Sequence, residues 1–108
     1  MAFVDVAAID DIPAGTIKPF TVGGKEIAIA NLRGSFYAIG RKCPHLGGDL
    51  SKGSLDGTTI ACPRHHARFD VTTGRCLTGA KIGPLKLNVK DATVYPVRVE
   101  GQRIQVDL

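Results

Sequence analysis

Residues 43–65 read CPHLGGDLSKGSLDGTTIACPRH, and the rest of the chain is best understood from this stretch outward. It opens on Cys43-Pro44-His45 and closes on Cys62-Pro63-Arg64-His65, with sixteen residues between His45 and Cys62. Each end offers one soft thiolate and one imidazole. Pro44 and Pro63 each follow a cysteine and stiffen its loop. Gly47, Gly48, Gly53 and Gly57 allow the chain to turn tightly around a compact object.

Two Cys and two His suit two inorganic centres. One is a tetrahedral structural zinc ion. The other is a two-iron, two-sulfide cluster with two Cys on one iron and two His on the other. The order of the ligands separates them. Zinc fingers usually pair Cys with Cys and His with His. Here each loop carries one of each, so two loops can grip both irons from opposite sides.

The surroundings read as β-structure. Upstream, Phe3–Ala8 is an apolar run, and Asp10–Gly15 is a turn marked by Pro13 and Gly15. Thr16–Val22 and Lys25–Leu32 flank Gly23-Gly24, a two-residue hairpin signal. Within Lys25–Leu32, Ile27, Ile29 and Asn31 share one face, and Ala28, Ala30 and Leu32 the other. Ser35–Ile39 follows, so residues 3–39 are expected to form an antiparallel meander. Downstream, strands are expected at Leu85–Val89, Val94–Val99 and Arg103–Val106, with Pro96 marking an edge or a bulge. Between Arg41 and Pro84, Gly, Pro, Lys, Arg, Cys and His are dense. Only two short strands are expected there, near Thr58–Ala61 and Arg68–Val71, outside any core sheet. No helix of normal length is predicted. The expected fold is all-β: one domain over 1–108, a small antiparallel sandwich or barrel. Its base is 1–40 and 85–108, and a loop-rich insertion, 41–84, holds the metal.

Composition agrees with a soluble globular protein. The 108 residues are 44% hydrophobic and 22% charged, with mean hydropathy +0.06. Trp is absent and aromatics are 6%, so no stacking platform for single-stranded nucleic acid is evident. No apolar stretch approaches a membrane span of roughly 18 residues. The first fifteen residues lack a basic n-region, and Asp5, Asp10 and Asp11 interrupt them. A cytoplasmic protein is expected. Three cysteines argue against a disulfide framework. The formal net charge is +4, and the excess lies between residues 41 and 86, on the segment that holds every Cys and His.

At these motifs the sequence resembles the Rieske ferredoxin family. CPHLGGDLSKG resembles the family's first box and CPRHHARFDVTTG its second. The resemblance implies a Rieske-like fold and one [2Fe–2S] cluster. It implies that Cys43 and Cys62 bind the inner iron, and His45 and His65 the outer one near the surface. It also implies a one-electron carrier with no substrate of its own, fed by a flavoprotein reductase and discharging to a terminal oxygenase or similar enzyme. The high-potential members add a disulfide that would need Cys where Gly48 and Arg64 stand. They also place Ser and Tyr hydroxyls where Ala67 and Phe69 stand. Their absence predicts the lower end of the Rieske range, roughly −150 mV. Cations of the segment, namely Arg41, Lys42, Lys52, Arg64, Arg68, Arg75 and Lys81, are candidates to steer an acidic partner.

Two other readings stand beside this one: an accessory subunit like the small subunit of nitrite reductase, and a colourless zinc module. A catalytic oxygenase chain is not expected, since 24 residues follow Pro84 and no His follows His66. His66 reads as a solvated imidazole, and Cys76 as a small buried hydrophobe. Leu46 and Gly83-Pro84 are candidates to cover the cluster.

Overall fold

The computed structural model describes residues 3–44, 48–64, 66–82, 85–87 and 90–108. Four short sheets carry the chain. The middle one has the strand order β11 (Val94–Tyr95), β4 (Ser35–Gly40), β3 (Lys25–Leu32), β2 (Ile17–Val22). On one side lies a three-stranded sheet of β1 (Phe3–Ala8), β13 (Arg103–Asp107) and β12 (Val97–Glu100). On the other lies a sheet of β5 (Ser54–Asp56), β6 (Thr59–Ala61), β7 (Arg68–Asp70) and β8 (Cys76–Thr78). A hairpin of β9 (Ala80–Ile82) and β10 (Leu85–Leu87) forms the fourth. All pairings are antiparallel.

The middle strand β3 explains the layering. Ile27 through Asn31 are all buried, so this strand is covered on both faces. Ile27 and Ile29 join Ala7, Ile12, Ala38, Ile104 and Val106 in the core of the base. Ala28 and Ala30, on the opposite face, join Ile39, Leu50, Ile60, Phe69 and both Cys43 and Cys62. Bulky side chains therefore fill the base, while methyl groups let the upper sheet and its loops approach closely.

Three expectations are corrected. First, β1 does not belong to the meander; it pairs with β13, with Ala7 opposite Ile104. A short 3₁₀ turn, Ile9–Asp11, carries the chain across to the middle sheet. Asn31 fixes that crossing: its side-chain amide donates to the Ile12 carbonyl at 2.7 Å, and its Oδ1 accepts from Gly34 N–H at 2.7 Å. Second, Val94–Val99 is two strands. Pro96 lacks an N–H for a ladder, and at Pro96 the chain leaves the middle sheet for the outer one. Third, Leu85–Leu87 pairs with Ala80–Ile82, so the chain rejoins the base sheets at Val94. The insertion also has more order than expected. It holds its own four-stranded sheet, with Ile60 opposite Phe69 as a buried pair. Among the described residues no helix is long and apolar enough to cross a membrane.

Candidate metal centre

Both cysteines stand at the necks of loops built in the same way. In the first, Leu50 N–H donates to the Arg41 carbonyl at 2.8 Å, and Cys43 N–H to the Gly48 carbonyl at 2.6 Å. Lys42 and Asp49 face each other between these bonds. In the second, Ala61 pairs with Arg68 on β6 and β7, and Cys62 N–H donates to the Ala67 carbonyl at 2.7 Å. Each cysteine thus begins a loop closed by the carbonyl five residues later. The different ligand spacings, Cys-x-His and Cys-x-x-His, are mounted on one backbone device.

The roots of these loops are dry, and the described residues just beyond the cysteines are wet. Cys43 is 3% exposed and Cys62 1%, both within the core that includes Ala28, Ala30, Ile60 and Phe69. Pro44, Pro63, Arg64 and His66 are exposed. A pair of thiolates at that depth is costly without positive charge beside it. The +2 core of an oxidised [2Fe–2S] cluster offsets two thiolates.

Gly48 brings the loops together. A methyl group added there would lie 2.6 Å from Cys62 Sγ, 3.1 Å from the Arg64 Cβ and 3.7 Å from the Cys43 Cβ. The first loop therefore lies directly against the second cysteine, and only glycine fits between them. The 3.1 Å approach also shows that positions 48 and 64 face one another, slightly closer than the roughly 3.5–4.5 Å typical between the Cβ atoms of a disulfide. Here they are Gly and Arg. Ala67 and Phe69 are fully buried and bring no hydroxyl to this layer.

Of the four expected ligands, the structure places Cys43 and Cys62 in neighbouring loops of one core. His45 and His65 lie outside the described residues, as do Leu46 and Gly83-Pro84. Among the described residues no further Cys, Asp or Glu completes a metal-holding group of three. The donors expected from the sequence to complete a four-ligand set are the imidazoles of His45 and His65. The mixture suits a two-iron cluster with unlike irons.

The cations expected to dock a partner divide into two groups. Arg41 Nη2 lies 3.0 Å from Asp49 Oδ2, and its Nη1 3.6 Å from Glu26 Oε1. Its charge is largely answered within the protein. Lys42 reaches Glu26 at 3.7 Å but is mostly exposed. Lys52, Arg64 and Arg68 are exposed. The hydrogen bond from Arg41 holds the Asp49 carboxyl below the usual carboxylate range, against the opposing effect of burial, with Ser51 assisting. Asp49 and Glu26 were not singled out from sequence. The legible signal is an Asp placed just after the first loop's Gly-Gly, but the second acid on Arg41, Glu26, is far away in the chain.

His66 is exposed and adopts a left-handed backbone, φ 62°. Histidine visits that region more readily than most residues. Cys76 is half-buried at the edge of the upper sheet, with Sγ 3.6 Å from the Thr78 carbonyl. Burial, and then the Asp91 carboxylate, push its thiol pKa upward. It is poorly suited to act as a thiolate.

Comparison with known proteins agrees with this geometry. The family model described as Rieske [2Fe-2S] domain matches residues 2–96. The ferredoxin component of the naphthalene 1,2-dioxygenase system of Pseudomonas aeruginosa is 42% identical over 106 residues, spanning 98% of this chain and 95% of its own. The ferredoxin of carbazole 1,9a-dioxygenase from Nocardioides aromaticivorans IC177 is similar with TM-score 0.81 and 32% identity, over 98% of this chain and 97% of its own. A chain from a complex of reduced oxygenase and oxidised ferredoxin in carbazole 1,9a-dioxygenase gives TM-score 0.80 and 31% identity, over 96% of this chain and 100% of its own. Two buried cysteines on matched loops, and a family match across nearly the whole length, lead to one conclusion: the chain belongs to the Rieske [2Fe-2S] domain family.

Proposed function

We propose that this chain is a one-electron carrier of an oxygenase system, working in the cytoplasm between a flavoprotein reductase and a terminal oxygenase. The observation that carries the reading is the end-to-end correspondence with a dioxygenase ferredoxin component, which leaves little of either chain unmatched. An oxygenase–ferredoxin complex among the similar structures supports the acceptor.

A [2Fe–2S] cluster, when bound, supplies reversible one-electron chemistry. Cys43, His45, Cys62 and His65 are the residues assigned to hold it. The chain's own contribution is threefold. Leu50, Ile60 and Phe69 keep water from the two cysteines. Ala67 and Phe69 offer no hydroxyl donor, so this layer does little to favour the reduced, more negative state, and a potential near the low end, roughly −150 mV, is expected. Lys42, Lys52, Arg64 and Arg68 carry positive charge on or near the ligand loops, where it attracts an acidic partner.

The test combines spectroscopy with transfer kinetics. The purified protein should be brown, contain iron and sulfide, and give a rhombic reduced EPR signal with low average g. His65→Cys should retain a cluster but shift its spectrum toward the all-cysteine type. Stopped-flow reduction by a reductase of such a system should slow as salt rises. A colourless protein holding zinc would sink the proposal. So would a brown protein that co-purifies as a fixed subunit of a larger haem or flavin enzyme.

A further inference from the structure

The necks of the two ligand loops differ in one respect that their shared backbone pattern hides. At the second neck, Ala61 faces Arg68, and the strands continue into a sheet. At the first neck, Lys42 and Asp49 form an isolated bridge, and among the described residues the ladder between the two arms does not continue. Two backbone bonds close that neck, and the side chains around it reinforce them.

Arg41 is tied to both sides. Its N–H donates to the Glu26 carbonyl at 3.2 Å, and its own carbonyl accepts from Leu50 N–H at 2.8 Å. Its guanidinium donates through Nε at 3.2 Å and Nη2 at 3.0 Å to Asp49 Oδ2, while Nη1 lies 3.6 Å from Glu26 Oε1. One planar group therefore spans β3 of the base and the returning arm of the loop. Asp49 is fixed before Arg41 reaches it. Its other oxygen, Oδ1, accepts from Ser51 N–H at 3.0 Å and from Ser51 Oγ at 2.5 Å. The residue preceding Asp49 is Gly48, where an added Cβ would lie 2.6 Å from Cys62 Sγ. A shift of Asp49 carries Gly48 toward or away from that sulfur.

We infer that Arg41 and Asp49, anchored on Glu26, are positioning residues that set the seat of the first ligand loop against Cys62 and thereby tune the reduction potential. They act through Gly48. The inference rests on the assignment of Cys43 and Cys62 as ligands. Arginine is required because a forked donor reaches two acids at once, which an ammonium does not.

The experiment uses the loaded protein and four variants: Asp49→Asn, Arg41→Met, Arg41→Lys and the double variant Asp49→Asn/Arg41→Met. Hydrogen exchange is followed on peptides covering 41–52 and, as an internal control, 60–70, together with the reduction potential. The expected result has two parts. Exchange speeds up several-fold in 41–52 for all three single variants and not in 60–70. The potential moves in the same direction in Asp49→Asn and Arg41→Met, with the double variant close to either single one. A pure charge effect predicts otherwise. Removing the acid and removing the base would then move the potential oppositely, the double variant would return to the parent value, and Arg41→Lys would be silent. That pattern, or unchanged exchange in 41–52, overturns the inference. Should Arg41→Met fail to load, Arg41→Lys, which keeps the charge and loses the fork, decides the question by the same exchange readout. Failure of the ligand assignment itself is distinguishable, because no variant, nor the parent, would then show the Rieske EPR signal.

Discussion

The two ligand loops have the same closed neck but are fastened to the protein by different means. The first adds a charge clamp, Arg41 between Asp49 and Glu26, to its backbone bonds. The second is held through the turn that follows its sheet. Past β7 the chain turns at Gly74, whose carbonyl accepts from Ala92 N–H at 2.7 Å, and Cys76 N–H donates to the Asp91 carboxylate at 2.8 Å. The Gly74–Ala92 backbone bond tolerates salt and acid, but its glycine does not tolerate a larger residue. A charge clamp tolerates volume but not the loss of a partner. The two cysteines of one centre are therefore exposed to different kinds of damage.

That contrast is broken most severely at Gly74. Its φ is 79°, and an added methyl would sit 2.2 Å from the Ala92 carbonyl oxygen. Gly74→Ala should cost about 3 kcal/mol through left-handed strain and overpacking, and should lower the melting temperature by on the order of 15 °C in calorimetry. Gly48→Ala comes next. Its backbone is not left-handed, but the methyl meets Cys62 Sγ at 2.6 Å. A cost of about 2 kcal/mol from overpacking is expected. Iron and sulfide analysis should show reduced loading while far-UV circular dichroism keeps the β signature of the base.

Phe69→Tyr sharpens the comparison on the second side, where a fully buried ring shares the layer of both cysteines. A new hydroxyl donor worth about 1 kcal/mol corresponds to roughly 50 mV for one electron, upward. Protein-film voltammetry reads it directly, and an unchanged potential would mean that the hydroxyl does not reach the cluster.

The smallest effect separates the two fastenings by pH. The Asp49 carboxyl is held below its usual range by Arg41. Its contribution is therefore fully present above the ordinary Asp value and fades as pH falls through the lowered one. Thermal melts of the parent and of Asp49→Asn should differ at neutral pH and converge in acid. Gly74→Ala should show no such convergence.

Local features were legible in the sequence. Gly23-Gly24 and the alternation beyond it delimited Lys25–Leu32, and the two Cys/His motifs marked the loops that the structure brings together. Contacts distant in the chain were not legible. Nothing in Phe3–Ala8 announces that its partner is Arg103–Asp107, since an apolar run fits either sheet. Pro96 signalled a break but not that the chain would change sheets there. Ser54–Asp56 and Cys76–Thr78 are three-residue strands, too short to show a period of two. Asn31 could be placed on a face, but its role as the lock between Ile12 and Gly34 depends on where the crossing loop lands. Arg41 looked like a steering charge because its acceptors lie eight and fifteen residues away.

The unequal faces of β3 bear on how the molecule ages. Isoleucines bind the base to itself, whereas Ala28 and Ala30 offer the upper sheet little apolar area. The upper half relies on its own cluster of Leu50, Ile60, Phe69 and Val71, into which both ligand cysteines are built. Oxidative loss of the cofactor should therefore leave a half-open molecule rather than an unfolded one, with an intact sandwich and a loosened flap spanning residues 41–92. Limited proteolysis of bleached protein should cut within that flap first.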